Sequence, residues 1–225
     1  MKNNNYVNGQ WVAGEGSIKN INPSDTNDII DEYSNATSQQ LDDAVASAKI
    51  AQKKWENVGI EKRSTILHNI GTELIKQSKE IGTLLSREEG KTLPEGIGEV
   101  VRSGQQFQYY AASALRQFGE NIASTRDGVS VEMSREPVGV CGIISPWNFP
   151  IAIAAWKAAP AMAFGNAIIL KPASQTPASA IALTKIISEQ KEIPEGLFNL
   201  VLGGGSTIGH QISGHTDIDA ISFTG

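Results

Sequence analysis

The sequence predicts an α/β protein in which a Rossmann-like, doubly wound parallel sheet follows an N-terminal helical segment. Two observations predict this fold class. From residue 138 onward, short apolar runs alternate with helical patterns over short connections, which requires a parallel sheet covered by helices on both faces. Each apolar run is also followed by polar or glycine-rich residues, at the strand ends where such sheets bind their ligands.

The elements before this sheet begin with short strands and turns over residues 6–33. Gly9 lies at a predicted hairpin turn, and residues 22–26 have the composition of a turn. Thr37 or Ser38 is the predicted cap of a first helix, and Gly90 is the predicted C-cap of a second. The predicted helices cover residues 39–57, residues 61–89 with a break expected near Gly82, and residues from about Pro94 to 118.

The remaining elements follow from run length and periodicity. Residues 129–135 alternate apolar and polar side chains, which predicts a half-buried strand. The predicted strands of the parallel sheet are 138–144, 167–171, 198–202 and 219–223, and the predicted helices are 151–164, 178–189 and 206–213. Right-handed crossovers put the carboxyl ends of all four strands on one side. The groups expected to converge there are residues 147–148, 171–174, 203–205 and 223–225.

The composition excludes several classes of protein. A formal net charge of -5 without a basic cluster argues against binding to nucleic acid or to a membrane surface. The single cysteine, Cys141, cannot form an internal disulfide, and residues 1–11 do not read as a signal peptide, so a cytoplasmic protein is expected. The longest apolar run, 151–164, is too short to span a bilayer. No metal site is predicted, because the three histidines show no ligand spacing.

Asn148 is the candidate catalytic residue. It follows the buried strand 138–144 and is flanked by Trp147 and Phe149. A solvated turn needs no aromatic residues, whereas a rigid amide is well suited to donate a hydrogen bond to a developing oxyanion. The alternative is that Asn148 caps the helix that follows.

Lys171 is the candidate cofactor-binding cation. It ends an otherwise apolar strand, where its ammonium can bind a ribose hydroxyl or a phosphate; the alternative is a solvated strand end. The GGGSTIG segment, 203–209, does not fit G-x-G-x-x-G and is weak alone. Its place between a strand and a helix favours packing against an adenine or a diphosphate. Cys141 lies in mid-strand without a cationic neighbour, which predicts an inert thiol.

Three motifs in this order closely resemble the aldehyde dehydrogenase superfamily: PWNFP at 146–150, KPASQTP at 171–177 and FTG at 223–225. Residues 147–166 are similar above all to succinate-semialdehyde and 2,5-dioxopentanoate dehydrogenases. The resemblance implies NAD(P)-dependent oxidation of a small-molecule aldehyde to a carboxylic acid, with Asn148 as oxyanion donor. The cofactor contacts that it implies are Ile144, Ser145, Pro146, Trp147, Asn148, Lys171, Ala173, Ser174, Gly203, Ile208, Phe223, Thr224 and Gly225.

The resemblance also bears on the choice of cofactor and on assembly. Many NAD-using members carry a glutamate at the position of Ser174. A carboxylate would repel the 2′-phosphate of NADP, whereas a hydroxyl leaves room and can donate a hydrogen bond, and Lys171 adds positive charge nearby. NADP is therefore the predicted cofactor, with NAD as the alternative. Residues 127–137 are expected to belong to an oligomerisation arm, and a full-length member to form a dimer or a tetramer.

The sequence departs from the superfamily in its length. Members are much longer, and the motifs with the nucleophilic cysteine and the base glutamate come after FTG. We therefore expect residues 1–225 to form an incomplete N-terminal, NAD(P)-binding domain of a truncated fold without its catalytic domain, and to be inactive alone. One alternative is a noncatalytic nucleotide-binding or partner-binding module. Another, an unrelated α/β dehydrogenase or kinase, is disfavoured because G-x-x-x-x-G-K-[ST] is absent.

Overall fold

A computed structural model describes residues 3–116 and 119–225. The helices are α1 (Ser38–Glu56), α2 (Ile60–Lys76), α3 (Ser78–Glu89), α4 (Leu93–Ala114), α5 (Ala152–Ala163), α6 (Pro177–Ser188) and α7 (His210–Gly214), with a π-helix at Gly205–Gly209. The strands are β1 (Asn3–Val7), β2 (Gln10–Ala13), β3 (Glu15–Ile21), β4 (Ile29–Asn35), β5 (Glu120–Ala123), β6 (Ser130–Met133), β7 (Val140–Ile144), β8 (Ala167–Lys171), β9 (Phe198–Leu200) and β10 (Ala220–Phe223).

The main sheet confirms the predicted doubly wound topology. Its strand order is β10-β7-β8-β9-β1-β2, and β10, β7, β8 and β9 are mutually parallel. The chain passes from β7 through β8 to β9 in one direction and then returns to the other side of β7 for β10. The strand order therefore reverses at β7, and doubly wound sheets bind their ligands at such a switch point.

The N-terminal strands join this sheet, which the sequence did not predict. β1 pairs with β9 in the antiparallel sense through Tyr6 and Leu200. The buried side chain of Asn5 fixes this junction, since its Oδ1 accepts the amide of Leu202 at 2.8 Å and its Nδ2 donates to the carbonyl of Ser34. An amide side chain at this point satisfies backbone groups that the short β9 leaves unpaired.

α2, α3 and α4 form a helical layer that packs against α5 and α6, whereas α1 packs directly on strands of the main sheet. α4 contacts α2, α3 and α5, and α3 contacts α6. The capping residue of α1 is Thr37, whose hydroxyl accepts the amide of Gln40 while the Gln40 side chain accepts the amide of Thr37. Gly90 ends α3 in the left-handed conformation, as predicted.

The predicted break at Gly82 is wrong. The second helical pattern is divided at Gln77, between α2 and α3. Gly82 lies within α3, where a Cβ atom would come within 2.6 Å of the Cα of Ile97. The glycine is therefore needed for the close crossing of α3 and α4, and it does not interrupt the helix.

The predicted half-buried strand at 129–135 is also wrong in its burial. β6 covers only Ser130–Met133 and is exposed on both faces. Its one strand partner in the described part of the chain is β5, and together they form a separate two-stranded sheet. Without a layer to cover it, alternation alone does not bury a strand. The predicted end of the third helix, at 118, falls outside the described residues; the described helix ends at Ala114.

Glu88 connects the helical layer to the sheet layer. Its buried carboxylate accepts the amides of Ala178 and Ser179 at the start of α6, the hydroxyl of Ser179, and the side-chain amide of Asn20. Burial raises the pKa of Glu88, while these hydrogen bonds act in the opposite direction. A carboxylate at a helix N-terminus is favourable because unpaired amides and the helix dipole present positive charge there. Glu88, which lies on α3, therefore caps the N-terminus of α6.

Replacing Glu88 with alanine is expected to lower the free energy of unfolding by about 2–4 kcal/mol, because buried donors at the start of α6 lose their acceptor. Chemical denaturation followed by circular dichroism measures the change. The matched control is Glu80→Ala on the exposed face of the same helix, which should stay within about 0.5 kcal/mol of the wild type. Equal losses for the two variants would contradict a capping role for Glu88.

Candidate functional site

The four predicted groups do converge on one edge of the sheet. The amide of Ser145 donates to the carbonyl of Lys171 at 3.1 Å, which joins the ends of β7 and β8. The amide of Thr224 donates to the carbonyl of Ile144, also at 3.1 Å, which joins the ends of β10 and β7. The carboxyl ends of these parallel strands are thus held in one continuous rim.

A cavity of about 520 Å³ opens at the switch point between β7 and β10. Five of its lining residues were indicated by the sequence: Ile144 and Phe223, and Gly205, Ser206 and Gly209 of the GGGSTIG segment. The other two lie on α7. The complete lining is Ile144, Gly205, Ser206, Gly209, His210, Ser213 and Phe223.

Lys171 lies buried beneath this rim, 3% exposed. Its Nζ donates to the carbonyl of Pro172 at 2.7 Å and to the carbonyl of Gly203 at 3.0 Å. Burial lowers the pKa of Lys171 to about 8. The alternative of a solvated strand end is therefore wrong, and the ammonium has one further N–H to offer a ligand.

Ser174 shares an acceptor with Lys171. Its Oγ lies 3.1 Å from the carbonyl oxygen of Gly203, within hydrogen-bond distance. The small cavity beside Ser174 also contacts Ala173 and Gly203, and none of the described residues that line it is acidic. The surroundings of Ser174 therefore offer a hydroxyl and a nearby ammonium without a competing carboxylate.

Gly203 and Ile208 pack against each other. Gly203 has a φ of 156°, and a Cβ atom at this position would lie 2.5 Å from Cγ1 of Ile208. The side chain of Ile208 is buried, so it packs against the inner side of the turn at Gly203. The predicted helix 206–213 begins as the π-helix, a rare geometry that is often found at functional sites.

Asn148 lies on the loop between β7 and α5, and it is exposed. The predicted alternative, that its side chain caps α5, is not what the structure has. α5 has no side-chain cap from its own loop, and its first amides, those of Ile151 and Ala152, donate to Oε1 of Glu99, each at 3.1 Å. The Asn148 side chain makes no hydrogen bond to another described residue, which leaves its amide available as a donor.

The other predicted cofactor contacts on this loop differ in exposure. Ser145 and Pro146 are buried, and the hydroxyl oxygen of Ser145 has no hydrogen-bond partner among the residues that the structure describes. Trp147 is 53% exposed. Thr224 and Gly225 are exposed at the end of β10.

Cys141 has the environment expected of an inert thiol. It lies in the middle of β7, and burial, followed by the charge of Asp219, raises its pKa to about 11. A thiol with so high a pKa is almost wholly protonated at neutral pH, and the protonated form is not nucleophilic.

Sequence reasoning missed several residues at this site. His210 and Ser213 line the cavity because α7 continues directly from the π-helix; the helical pattern after GGGSTIG could have indicated them. Lys91 and Glu99 contact the Asn148 loop from the helical layer. No local sequence pattern indicates a contact over this distance along the chain.

Within residues 3–116 and 119–225, no group of three or more histidine, cysteine, aspartate or glutamate residues is arranged to hold a metal ion. No helix there has the length and apolar character to cross a membrane.

Comparison with known proteins identifies related sequences over nearly the whole chain. The family model for the aldehyde dehydrogenase family matches residues 11–225. The alpha-ketoglutaric semialdehyde dehydrogenase of Bacillus subtilis (strain 168) is 38% identical over 98% of this chain and 46% of its own length. The 2,5-dioxopentanoate dehydrogenase of Saccharolobus solfataricus is 34% identical over 100% of this chain and 47% of its own length.

Solved structures agree. The crystal structure of Staphylococcus aureus betaine aldehyde dehydrogenase in complex with NAD+ superposes with a TM-score of 0.94 at 31% identity. The match covers 99% of this chain and 45% of that one. The chain therefore spans about half the length of the curated relatives and the solved structure that it matches.

Proposed function

The chain belongs to the aldehyde dehydrogenase family, and on that premise we propose that residues 1–225 supply the cofactor-binding and oxyanion-stabilising part of an NADP-linked semialdehyde dehydrogenase. The observation that carries the proposal is the shared edge of the sheet, where Lys171 and Ser174 meet at Gly203 and the Asn148 loop leaves the adjacent strand. The names of the two relatives support a semialdehyde such as 2,5-dioxopentanoate, and the sequence motifs also fit succinate semialdehyde.

The residues at this edge fit a nicotinamide dinucleotide. Lys171 retains one N–H for a ribose hydroxyl or a phosphate. Ser145 has a buried hydroxyl oxygen without a described partner. The amides of Gly205 and Ser206 begin the π-helix beside the cavity, and first amides have no partner within their own helix. When bound, the cofactor supplies a hydride acceptor for aldehyde oxidation.

The arrangement around Ser174 supports NADP over NAD. A 2′-phosphate needs a donor, and the hydroxyl of Ser174 can turn toward it because Lys171 still donates to the carbonyl of Gly203. No acidic residue lines the adjoining cavity in the described part of the chain, so a phosphate there would not contact a carboxylate.

The role of Asn148 is to donate its side-chain amide to the oxyanion that forms when a thiolate attacks the aldehyde carbonyl. Loss of one such donor typically raises the barrier by about 3–4 kcal/mol. The thiolate does not come from Cys141, whose pKa is about 11. A nucleophilic cysteine and a base glutamate from outside residues 1–225 would complete the reaction, and residues 1–225 alone would bind cofactor without turnover.

The hairpin of β5 and β6 is the proposed contact between subunits of a dimer or tetramer. It includes most of residues 127–137, and its apolar side chains Ile122, Val131 and Met133 are 41%, 42% and 47% exposed. A separate exposed hairpin with apolar side chains is suited to be covered by a partner.

The purified 225-residue chain is expected to bind NADP and to show no oxidation of succinate semialdehyde or 2,5-dioxopentanoate, because it lacks a reactive thiolate. Calorimetric titration measures binding, and absorbance of reduced cofactor measures turnover. Turnover would contradict the proposed division of roles. A folded chain that binds neither NADP nor NAD+ would contradict the cofactor site itself. Tight binding would also favour the alternative of a noncatalytic nucleotide-binding module.

Ser174→Glu is expected to weaken NADP binding at least about tenfold and to spare NAD+ binding, because the new carboxylate would repel the 2′-phosphate but accept hydrogen bonds from the ribose hydroxyls. Dissociation constants for both nucleotides measure the switch. The matched control is Ser174→Ala, which removes the hydroxyl without adding charge. Equal effects of Ser174→Glu on both nucleotides would show that Ser174 does not contact the 2′ position.

Raising the pH is expected to weaken NADP binding more than NAD+ binding. Burial lowers the pKa of Lys171 to about 8, so the ammonium is present below that pH and is lost above it. Bound phosphate shifts the loss upward, so we expect NADP to bind about tenfold more weakly at about pH 9.5 than at about pH 7. Lys171→Gln should bind NADP weakly and without this pH dependence. The same pH dependence in Lys171→Gln would assign it to another group.

A further inference from the structure

Lys91 holds the backbone of the Asn148 loop although it lies in the helical layer. Its Nζ donates to the carbonyl oxygen of Asn148 at 3.0 Å and lies 4.3 Å from the centroid of the Phe149 ring. The first contact fixes the peptide group that directly follows the Asn148 side chain. The second is a cation–π contact that orients the aromatic neighbour.

Glu99 holds the far end of the same loop. Its Oε1 accepts the amides of Ile151 and Ala152, and its Oε2 lies 2.7 Å from Nζ of Lys91. The side chains of Lys91 and Glu99 are 11% and 2% exposed. A paired charge in so dry a site has a fixed geometry, because neither partner can exchange its contacts for water.

These contacts lie apart from Lys171, Ser174 and the switch-point cavity. Lys91 and Glu99 do not line the switch-point cavity, and neither contacts Lys171 or Ser174 in the described part of the chain. The segment before Lys91 turns at Gly90, which has a φ of 91°, and this turn directs the chain from the end of α3 toward the loop.

We propose that Lys91 is a positioning residue, which together with Glu99 holds the Asn148 amide in the direction required of an oxyanion donor. The inference rests on the proposed role of Asn148. Oxyanion stabilisation depends on donors that are already oriented before charge develops. The Asn148 side chain makes no hydrogen bond to another described residue, so the backbone sets the direction in which it leaves the loop, and Lys91 binds that backbone.

The competing explanation is that Lys91 only neutralises the carboxylates beside it, Glu99 at 2.7 Å and Glu89 at 3.6 Å. Lys91→Met alone cannot separate the two, because it leaves an unpaired buried carboxylate, which is strongly destabilising. The double variant Lys91→Met/Glu99→Gln removes the closest ion pair and keeps a side-chain oxygen to accept the amides of Ile151 and Ala152. Glu89 keeps the backbone amide of residue 91 as a hydrogen-bond donor. The double variant therefore preserves the start of α5 while removing the contacts of Lys91 with Asn148 and Phe149.

The experiment is nitrogen-15 relaxation on the 225-residue chain, reading the backbone amide and the side-chain amide of Asn148. We expect an order parameter of about 0.85 at the backbone of the wild type and below about 0.6 in the double variant, with wild-type thermal stability. Lys91→Arg should keep Asn148 ordered, since a guanidinium can also contact Glu99, the carbonyl of Asn148 and the ring of Phe149. The matched control is Lys76→Met, which removes an exposed lysine paired with Glu73 and should leave Asn148 unchanged.

The outcomes are distinct. A stable double variant with a rigid Asn148 would overturn the proposal and leave Lys91 as a counter-charge only. If the double variant is too unstable to measure, Lys91→Arg provides the test. A mobile Asn148 in folded Lys91→Arg would equally overturn the proposal. NADP titration of the same samples separates this result from the proposed function, since order at Asn148 is measured without cofactor. Failure of the wild type to bind NADP would reject the cofactor site and leave the relaxation result standing.

Discussion

The structure depends on two buried carboxylates, each of which caps the N-terminus of a helix in another layer. α5 and α6 both begin without a side-chain cap from their own loops. Glu99 accepts the first amides of α5, and Glu88 accepts the first amides of α6. Each helix begins directly after a site loop, so the docking of the helical layer against the sheet layer also fixes the loops that carry Asn148 and Ser174.

Thr176 shows why this cross-layer arrangement is needed. Threonine before the start of a helix is a common cap, but Thr176 has φ and ψ of -133° and 55°, and its buried hydroxyl oxygen has no partner within the described residues. The turn that brings Lys171 and Ser174 beside Gly203 has taken Thr176 out of capping geometry. A carboxylate from α3 then serves the amides that the local sequence leaves unpaired.

Local patterns predicted most of the sheet and its edge. β8 is buried along its whole length and β7 along most of it, as their apolar runs predict, and the residues after them follow by the rule for parallel strand ends. The pairing of β1 with β9, the caps provided by Glu88 and Glu99, and the close packing at Gly82 could not be predicted, because each joins residues far apart in sequence. For β6 the local pattern predicted the strand correctly but not its burial, because burial depends on a covering layer.

The two halves of the site are supported separately. The edge proposed to bind the cofactor has Lys171 and Ser174 at the carbonyl of Gly203, and Glu88 caps α6 behind it. The Asn148 loop depends on Lys91 and Glu99 behind α5. Both supports come from one stretch of the chain, from the end of α3 into α4, in which Gly90 turns Lys91 away from Glu88. If these residues have the proposed roles, cofactor affinity and the orientation of Asn148 are expected to change independently through single side chains, whereas a shift of α3 and α4 as a unit would disturb both together.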